Sequence, residues 1–254
     1  MVDTSILIGV GLGAITAAIF CYLGSIAGKM AVPVEHRFAQ TMFSVWWWGI
    51  GATTGIGALN TLLGSQGLVG LAYFLVASYF LIALILVALL GLLYYMMTRF
   101  LARPIPMAPL VLLYVGVFAF FVWFIQTSHP DGLQVNPWNI TIHYAAPKTG
   151  LATLVAVLLL IGPQLVAGIG YFFLASRTPD RGERARIRMV AGAIVVWFGV
   201  GTIASAAGVT QLDWYQLLSR FLSLSAAAVS LAAYRPPGFL REMWGLTPPP
   251  QASS

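Results

Sequence analysis

The chain has 254 residues, of which 59% are hydrophobic and 8% are charged, and its formal net charge is +6. Soluble domains carry about 25% charged residues, so the composition excludes an ordinary soluble protein and indicates a membrane protein. Because Cys21 is the single cysteine, an internal disulfide and a cysteine-based metal cluster are also excluded. Short polar connections predict one membrane domain over residues 1–246, followed by a disordered, Pro-rich tail over residues 247–254.

Seven apolar stretches follow one another along the chain, each near or above the roughly 20 residues that a helix needs to span a bilayer. Their predicted bounds are 5–27, 38–63, 68–97, 107–127, 151–175, 189–209 and 212–234. We therefore predict an all-α fold, a bundle of seven transmembrane helices in contact with the lipid bilayer. Between helices 4 and 5, the alternating pattern within residues 128–150 predicts a short extracytoplasmic lid or hairpin.

Basic residues are concentrated at one end of the predicted helices. Eleven of the 13 Lys and Arg residues follow helices 1, 3, 5 or 7, and the two exceptions are Lys148 and Arg220. The positive-inside rule then places the N-terminus outside and the C-terminus in the cytoplasm, in a cell (inner) membrane. This explains the net charge without a nucleic-acid partner. The basic run 177–188 is predicted as a solvated loop that sets topology, with binding of anionic lipid or of a partner as the alternative.

Helix 2 has an unusual cluster of small, polar and aromatic residues around the three tryptophans at 46–48. Ser44, Trp48 and Gly51 fall near one face of this helix, and Asn60 follows in the same apolar stretch. Two interpretations remain open. The small residues form a packing seam with a neighbouring helix, or they wall a ligand pocket in which Ser44, Trp48, Gly51 and Asn60 bind the ligand.

Arg220 is the one Lys or Arg inside an apolar stretch, about 10 Å from the outer end of helix 7. An arginine in hydrocarbon costs roughly 2.5–3.5 kcal/mol on insertion scales, so it needs a partner or a function. One interpretation is a structural bond to Asp213, to Gln216 or to helices 2 and 3. The other is ligand binding by Arg220, together with Gln216.

Several kinds of chemistry lack the residues that they require. The three histidines, His36, His129 and His143, all fall in connections between helices, which disfavours an intramembrane haem. Helix 7 has no lysine for a retinal Schiff base, and no helix carries a His/Glu metal motif. The acidic residues lie at the helix ends, whereas ion pumps need them near the middle of the membrane. We therefore expect no enzyme, no metal and no cofactor.

Three features together resemble the seven-helix N-terminal sensor modules of bacterial histidine kinases and related signalling proteins. They are the seven spans with an outside N-terminus, the basic connection 177–188, and the exit from helix 7. The exit, Pro236-Pro237-Gly238-Phe239-Leu240-Arg241-Glu242-Met243-Trp244, is similar to the Pro-Pro-x-x-Leu-Arg-x-x-Trp link to cytoplasmic output domains. The chain ends about ten residues later, so we expect a module without an output domain. Residues 239–246 are predicted to form a short amphipathic segment on the membrane surface.

These patterns predict a stand-alone, sensor-like or receptor-like membrane protein that binds a small apolar or amphipathic ligand. The pocket is expected between helices 2, 3, 6 and 7, and the signal is expected to pass to a membrane or cytoplasmic protein partner. Two alternatives remain. One is a non-catalytic accessory or anchoring subunit of a larger membrane complex, and the other is a small-molecule transporter, for which Pro163 in helix 5 predicts a kink.

Overall fold

The computed structural model describes residues 4–30, 32–68, 71, 79–101, 105–135, 140–145, 149–206, 209 and 212–244. Within these ranges the chain forms eight α-helices, a short 3₁₀ helix (Val34–His36) and one pair of strands. In chain order they are α1 (Thr4–Gly28), α2 (Arg37–Ser65), α3 (Tyr79–Leu101), α4 (Ala108–Thr127), β1 (His129–Val135), β2 (Ile140–Ala145), α5 (Thr149–Ala156, a π-helical turn Val157–Ile161, and Gly162–Arg177), α6 (Arg181–Ala206), α7 (Asp213–Tyr234) and α8 (Gly238–Trp244). Most of the first part of predicted helix 3, and the tail 247–254, lie outside the described residues.

Six of these helices, α1 and α3 to α7, are long and apolar enough to cross a membrane, as a multi-pass membrane protein requires. The remaining long helix, α2, has 29 residues and lies where helix 2 is predicted. Its glycines, threonines and tryptophans make it less apolar than the other six. Small and polar residues are favoured where membrane helices contact each other, and α2 packs against both α1 and α3. The seven-span topology and its orientation stay predictions.

Helices α1 and α2 run antiparallel and meet along a seam of small residues. A β-carbon placed on Gly51 would lie 2.6 Å from Cys21 Sγ, so this position has no room for a larger residue. The close approach also permits a polar bond between the helices, because Ser44 Oγ donates to the Gly24 carbonyl at 2.6 Å. The seam is therefore held by van der Waals contact and hydrogen bonding, the forces that associate helices in lipid.

The opposite side of α2 packs as closely against α3. A β-carbon on Gly91 would collide with the Met42 carbonyl oxygen and lie 3.2 Å from the Met42 carbonyl carbon. One on Gly49 would collide with the Ala88 β-carbon. Because small residues line both sides of α2, the backbones of three consecutive helices come into direct contact.

An aromatic cluster forms the core between α1, α2 and α6. Trp46 and Trp47 are each 1% exposed. The ring centroids of Phe43 and Trp46 are 5.6 Å apart, those of Phe20 and Trp47 are 5.7 Å apart, and those of Phe20 and Trp197 are 5.3 Å apart. These separations are typical of favourable aromatic pairs.

The basic run 177–188 is helical from Arg181 onward, so the prediction of a solvated loop was wrong for most of it. Its charges interrupt the apolar pattern but do not oppose a helix, because arginine is a good helix former. The turn before α6 is closed by one of these arginines. Arg184 Nε donates to the Thr178 carbonyl at 2.9 Å, and Arg184 Nη2 donates to the Pro179 carbonyl at 3.0 Å.

Strands β1 and β2 form an antiparallel pair in the segment for which a lid or hairpin is predicted. The register places His129 opposite Ala145 and Val135 opposite Ile140, with an irregularity between Pro130 and Gly132. The pair lies beside α2. It begins just after the C-terminal end of α4, which is Thr127.

Helix α8 follows α7 after a short turn and has two unlike faces. Leu240 and Trp244 are buried, whereas Phe239 and Met243 are exposed. Arg181 of α6 donates to the Met243 carbonyl at 3.5 Å. The short amphipathic segment predicted after helix 7 is thus a helix whose buried face packs on the bundle, and its exposed apolar face is available to lipid.

Candidate functional site

A cavity of about 200 Å³ lies where α2, α3, α5 and α6 converge. It is lined by Trp46, Gly49, Ile50, Thr53, Thr54, Ile85, Ala88, Leu89, Gln164, Trp197 and Phe198. We call it the central cavity, because the α2 residues that line it lie midway along that helix. The pocket was expected between helices 2, 3, 6 and 7, but α5 rather than α7 supplies the fourth wall here.

Two residues that line the central cavity each have a buried polar atom without a hydrogen-bond partner in the described part of the chain. Gln164 is 7% exposed. Its Nε2 donates to the Leu160 carbonyl at 3.1 Å, while its Oε1 accepts no bond from these residues. The indole N–H of Trp46 is also buried and donates to none of them. A buried polar group that lacks a partner costs about 1–3 kcal/mol, so these two groups favour a ligand that offers both a donor and an acceptor.

The remaining polar side chains of the cavity are already bonded to the backbone. The hydroxyls of Thr53 and Thr54 both donate to the Ile50 carbonyl, at 2.9 and 2.8 Å. Their hydrogen atoms are therefore used within α2. The lining is otherwise apolar and includes no charged residue, which makes the cavity suited to a neutral molecule.

A π-helical turn orients the part of α5 that faces the cavity. Residues Val157–Ile161 form this turn, and the N–H of Gly162 bonds to the Val157 carbonyl. Pro163 comes directly after Gly162. Because proline has no N–H to donate, the regular hydrogen bonding of the helix is interrupted at this position. One extra residue in a turn rotates the later side chains by about 100°. This rotation sets the direction of Gln164, and π-turns of this kind are frequent at functional sites.

Three of the residues predicted to bind ligand contact α1 instead of lining the central cavity. Ser44 and Gly51 lie in the seam between α1 and α2. Trp48 is 47% exposed and lies across Gly24, where a β-carbon would come within 2.5 Å of the indole Cδ1. These positions match the packing interpretation, and ligand binding by the three residues stays a prediction.

Arg220 extends from α7 toward α1 and α2. A β-carbon on Gly13 would lie 3.2 Å from Arg220 Nη1 and 2.9 Å from the Ala58 β-carbon. Gly13 therefore makes room for the guanidinium as well as for α2. The charge lies between three helices, where protein groups replace lipid around it.

The other two predicted ligand residues lie in the same half of the bundle as Arg220. Gln216 is buried on α7, one helical turn before Arg220. Asn60 is 2% exposed near the end of α2, and its Oδ1 accepts no hydrogen bond from the described residues. Neither side chain lines the central cavity. Ligand binding by Asn60, Gln216 and Arg220 stays a prediction.

Sequence reasoning missed Trp46, Gln164 and Trp197 as candidate ligand residues. Consecutive helical residues point about 100° apart, so the pattern alone does not show which of the three adjacent tryptophans lines a cavity. Gln164 did carry a signal, since it is a polar residue directly after Pro163 in an apolar stretch.

No protein-family model matches the chain, and no curated protein matches it significantly. The resemblance to sensor modules of histidine kinases therefore stays a prediction. Function is inferred from the contacts and cavities of the chain itself.

Proposed function

We propose that this protein is a membrane sensor that binds a small, neutral, amphipathic molecule in the central cavity. One observation carries the proposal: Trp46 and Gln164 line a largely apolar cavity, and the buried Trp46 N–H and Gln164 Oε1 find no partner among the described residues. An apolar cavity with a few polar groups that fix orientation is the usual character of a small-molecule site.

The volume of the cavity indicates the size of the ligand group that it holds. An engineered cavity of about 150 Å³ lined by apolar residues binds benzene, and the central cavity has about 200 Å³. A single aromatic ring, or an aliphatic molecule of similar size, is therefore the expected occupant. Because no charged residue lines the cavity, its polar group is expected to be neutral, such as a hydroxyl or an amide.

Helix α6 is the proposed route from the cavity to the rest of the molecule. Trp197 lines the cavity, and Arg186 lies 11 residues earlier on the same helix. Eleven residues are about three turns, so both side chains occupy one face about 16 Å apart. Arg186 lies over the Tyr234 ring at 5.4 Å, at the end of α7. A ligand that displaced α6 would thereby shift the start of α8, from which a partner protein could receive the signal.

We expect Gln164→Leu to reduce phenol affinity about tenfold, because the variant loses the acceptor for the phenol hydroxyl, worth about 1.4 kcal/mol. Benzene has no hydroxyl, so its affinity should not fall. Trp46→Phe should lower phenol affinity to a similar extent, since it removes the indole N–H that donates to the phenol oxygen. Equilibrium dialysis measures both ligands, with the same detergent on either side of the membrane so that partition into micelles cancels.

The matched control for this experiment is Gln66→Leu, which makes the same change at an exposed position at the end of α2. Equal phenol affinity in wild-type protein and Gln164→Leu would reject the site. Purification of the chain with further subunits in fixed stoichiometry would instead favour the accessory-subunit alternative.

We also propose the orientation that the basic residues indicate, with the arginine-rich end of the bundle in the cytoplasm. In a Cys21→Ala background, Gln66→Cys should react with a membrane-impermeant maleimide added to intact cells, and Ser176→Cys should react only after lysis. Both positions are exposed and lie at opposite ends of the bundle. Labelling of Ser176→Cys in intact cells would show the reverse orientation.

A further inference from the structure

A second, smaller cavity lies at the arginine-rich end of the bundle, where α3, α5, α6 and α7 meet. Its volume is about 30 Å³, and its polar lining is Tyr95, Arg99, Tyr171, Glu183, Arg186 and Tyr234. We call these six residues the inner cluster. It is separate from the central cavity, with which it shares no lining residue.

The inner cluster has more positive charge and more hydrogen-bond donors than its one carboxylate can satisfy. Arg186 Nη2 donates to Glu183 at 3.2 Å. The Nε of Arg99 is buried and has no acceptor in the described part of the chain. Two guanidinium groups and one carboxylate leave a net positive charge, and a buried donor of a charged group is costly without an acceptor.

Tyr171 is a second residue of the inner cluster with a buried, unpaired polar atom in the described part of the chain. Tyr171 is 4% exposed and lines the small cavity, and its buried hydroxyl has no hydrogen-bond partner among the described residues. Arg99 and Arg186 line the same cavity as Tyr171. Donors from α3, α5 and α6 therefore converge on one small space.

Arg186 is held in place before any ligand binds. Besides its bond to Glu183, its Nη1 lies 3.8 Å from Met30 Sδ at the end of α1, and its guanidinium lies 5.4 Å from the Tyr234 ring centre. A side chain fixed in this way loses little conformational entropy when a ligand binds. The site is preorganised for a negative charge.

We propose that the inner cluster binds a monatomic inorganic anion, with chloride as the expected ion. A water molecule needs about 10–15 Å³ of such space, so 30 Å³ admits about two waters or one halide. That space is too small for a whole phosphate group. The bound anion accepts hydrogen bonds from Arg99, Tyr171 and Arg186, and it connects α3, α5 and α6 beside the end of α7.

The test is the thermal stability of the purified full chain when chloride replaces gluconate at constant sodium and constant ionic strength. A ligand that binds only the folded state raises its stability by RT ln(1 + [L]/Kd), so Tm keeps rising with the logarithm of the chloride concentration above Kd. We expect Tm to rise by about 3–6 °C at ten times the half-saturating chloride concentration. Bromide should replace chloride, because it has the same charge and a similar radius.

Tyr171→Phe removes a single oxygen from the site and Arg99→Gln removes one charge, and both variants should lose most of the chloride-dependent shift. Arg177→Gln is the matched control, since Arg177 is exposed at the same end of the bundle and does not line the cavity. It should keep the full shift. Equal Tm in chloride and gluconate would show that the cavity holds water only. An equal chloride shift in all variants would show a general surface effect, and either result overturns the proposal.

Discussion

Replacing Trp47 by alanine is expected to destabilise the bundle by about 3–5 kcal/mol, the range for removing a fully buried aromatic side chain. Trp47 is 1% exposed. Its ring centroid lies 4.4 Å from that of Trp46, 5.7 Å from that of Phe20 and 5.9 Å from that of Phe43. Neither lipid nor neighbouring side chains fill the space that the indole leaves, so the surrounding residues lose their van der Waals contacts.

The adjacent tryptophan provides the matched control. Trp48 is 47% exposed, and one side of its indole rests on Gly24. Lipid tails can replace much of the contact that Trp48→Ala removes, because they are as apolar as the side chain. The measurement is the fraction of protein that stays monodisperse in size-exclusion chromatography after heating. We expect a fall in the midpoint of more than about 6 °C for Trp47→Ala and a clearly smaller one for Trp48→Ala. Equal losses would contradict the burial of Trp47.

Gly91→Ala is expected to separate α2 from α3 and to cost about 1–3 kcal/mol, as overpacking does in closely packed interiors. The added methyl group would collide with the Met42 carbonyl oxygen, which belongs to the backbone of α2. A backbone group cannot rotate away as a flexible side chain can, so the helices themselves must move. The walls of the central cavity include residues of both helices, so the variant should also weaken phenol binding.

Gly57→Ala is the control for this substitution. It makes the same change in α2, but a β-carbon at Gly57 would meet nothing within 4 Å. Because alanine favours a helix by up to about 1 kcal/mol over glycine, this variant should be as stable as the wild-type protein or slightly more so. The same heating assay measures both variants. If Gly57→Ala lowered the stability of the protein and Gly91→Ala did not, the close contact between α2 and α3 would not lie at Gly91.

The long apolar stretches were predictable because they depend on length and composition alone. A helix needs about 20 apolar residues to satisfy its backbone in hydrocarbon, and α7, Asp213–Tyr234, has nearly the bounds predicted from sequence. The same reasoning misplaced the start of α6. Hydropathy marks where the membrane ends, whereas the helix continues beyond it through a basic segment that begins at Arg181.

The candidate site was less predictable, since helical periodicity shows which residues share a face of a helix but not what that face contacts. It groups Ser44, Trp48 and Gly51 on one face but does not say whether that face meets α1, lipid or a cavity. The contacts with Cys21 and Gly24 decide that it meets α1. Trp46 lies about 200° around the helix from Trp48, and it therefore faces the central cavity.

Composition alone determined the class of this protein, a helical membrane protein, because hydrocarbon imposes the same requirements on every chain that crosses it. Only the tertiary structure decided which polar side chains come together. Gln164 and Trp46 are more than 100 residues apart in sequence, and Arg99 and Arg186 belong to different helices. Their meeting depends on how four helices pack, and the close contacts at Gly49 and Gly91 set that packing for α2 and α3.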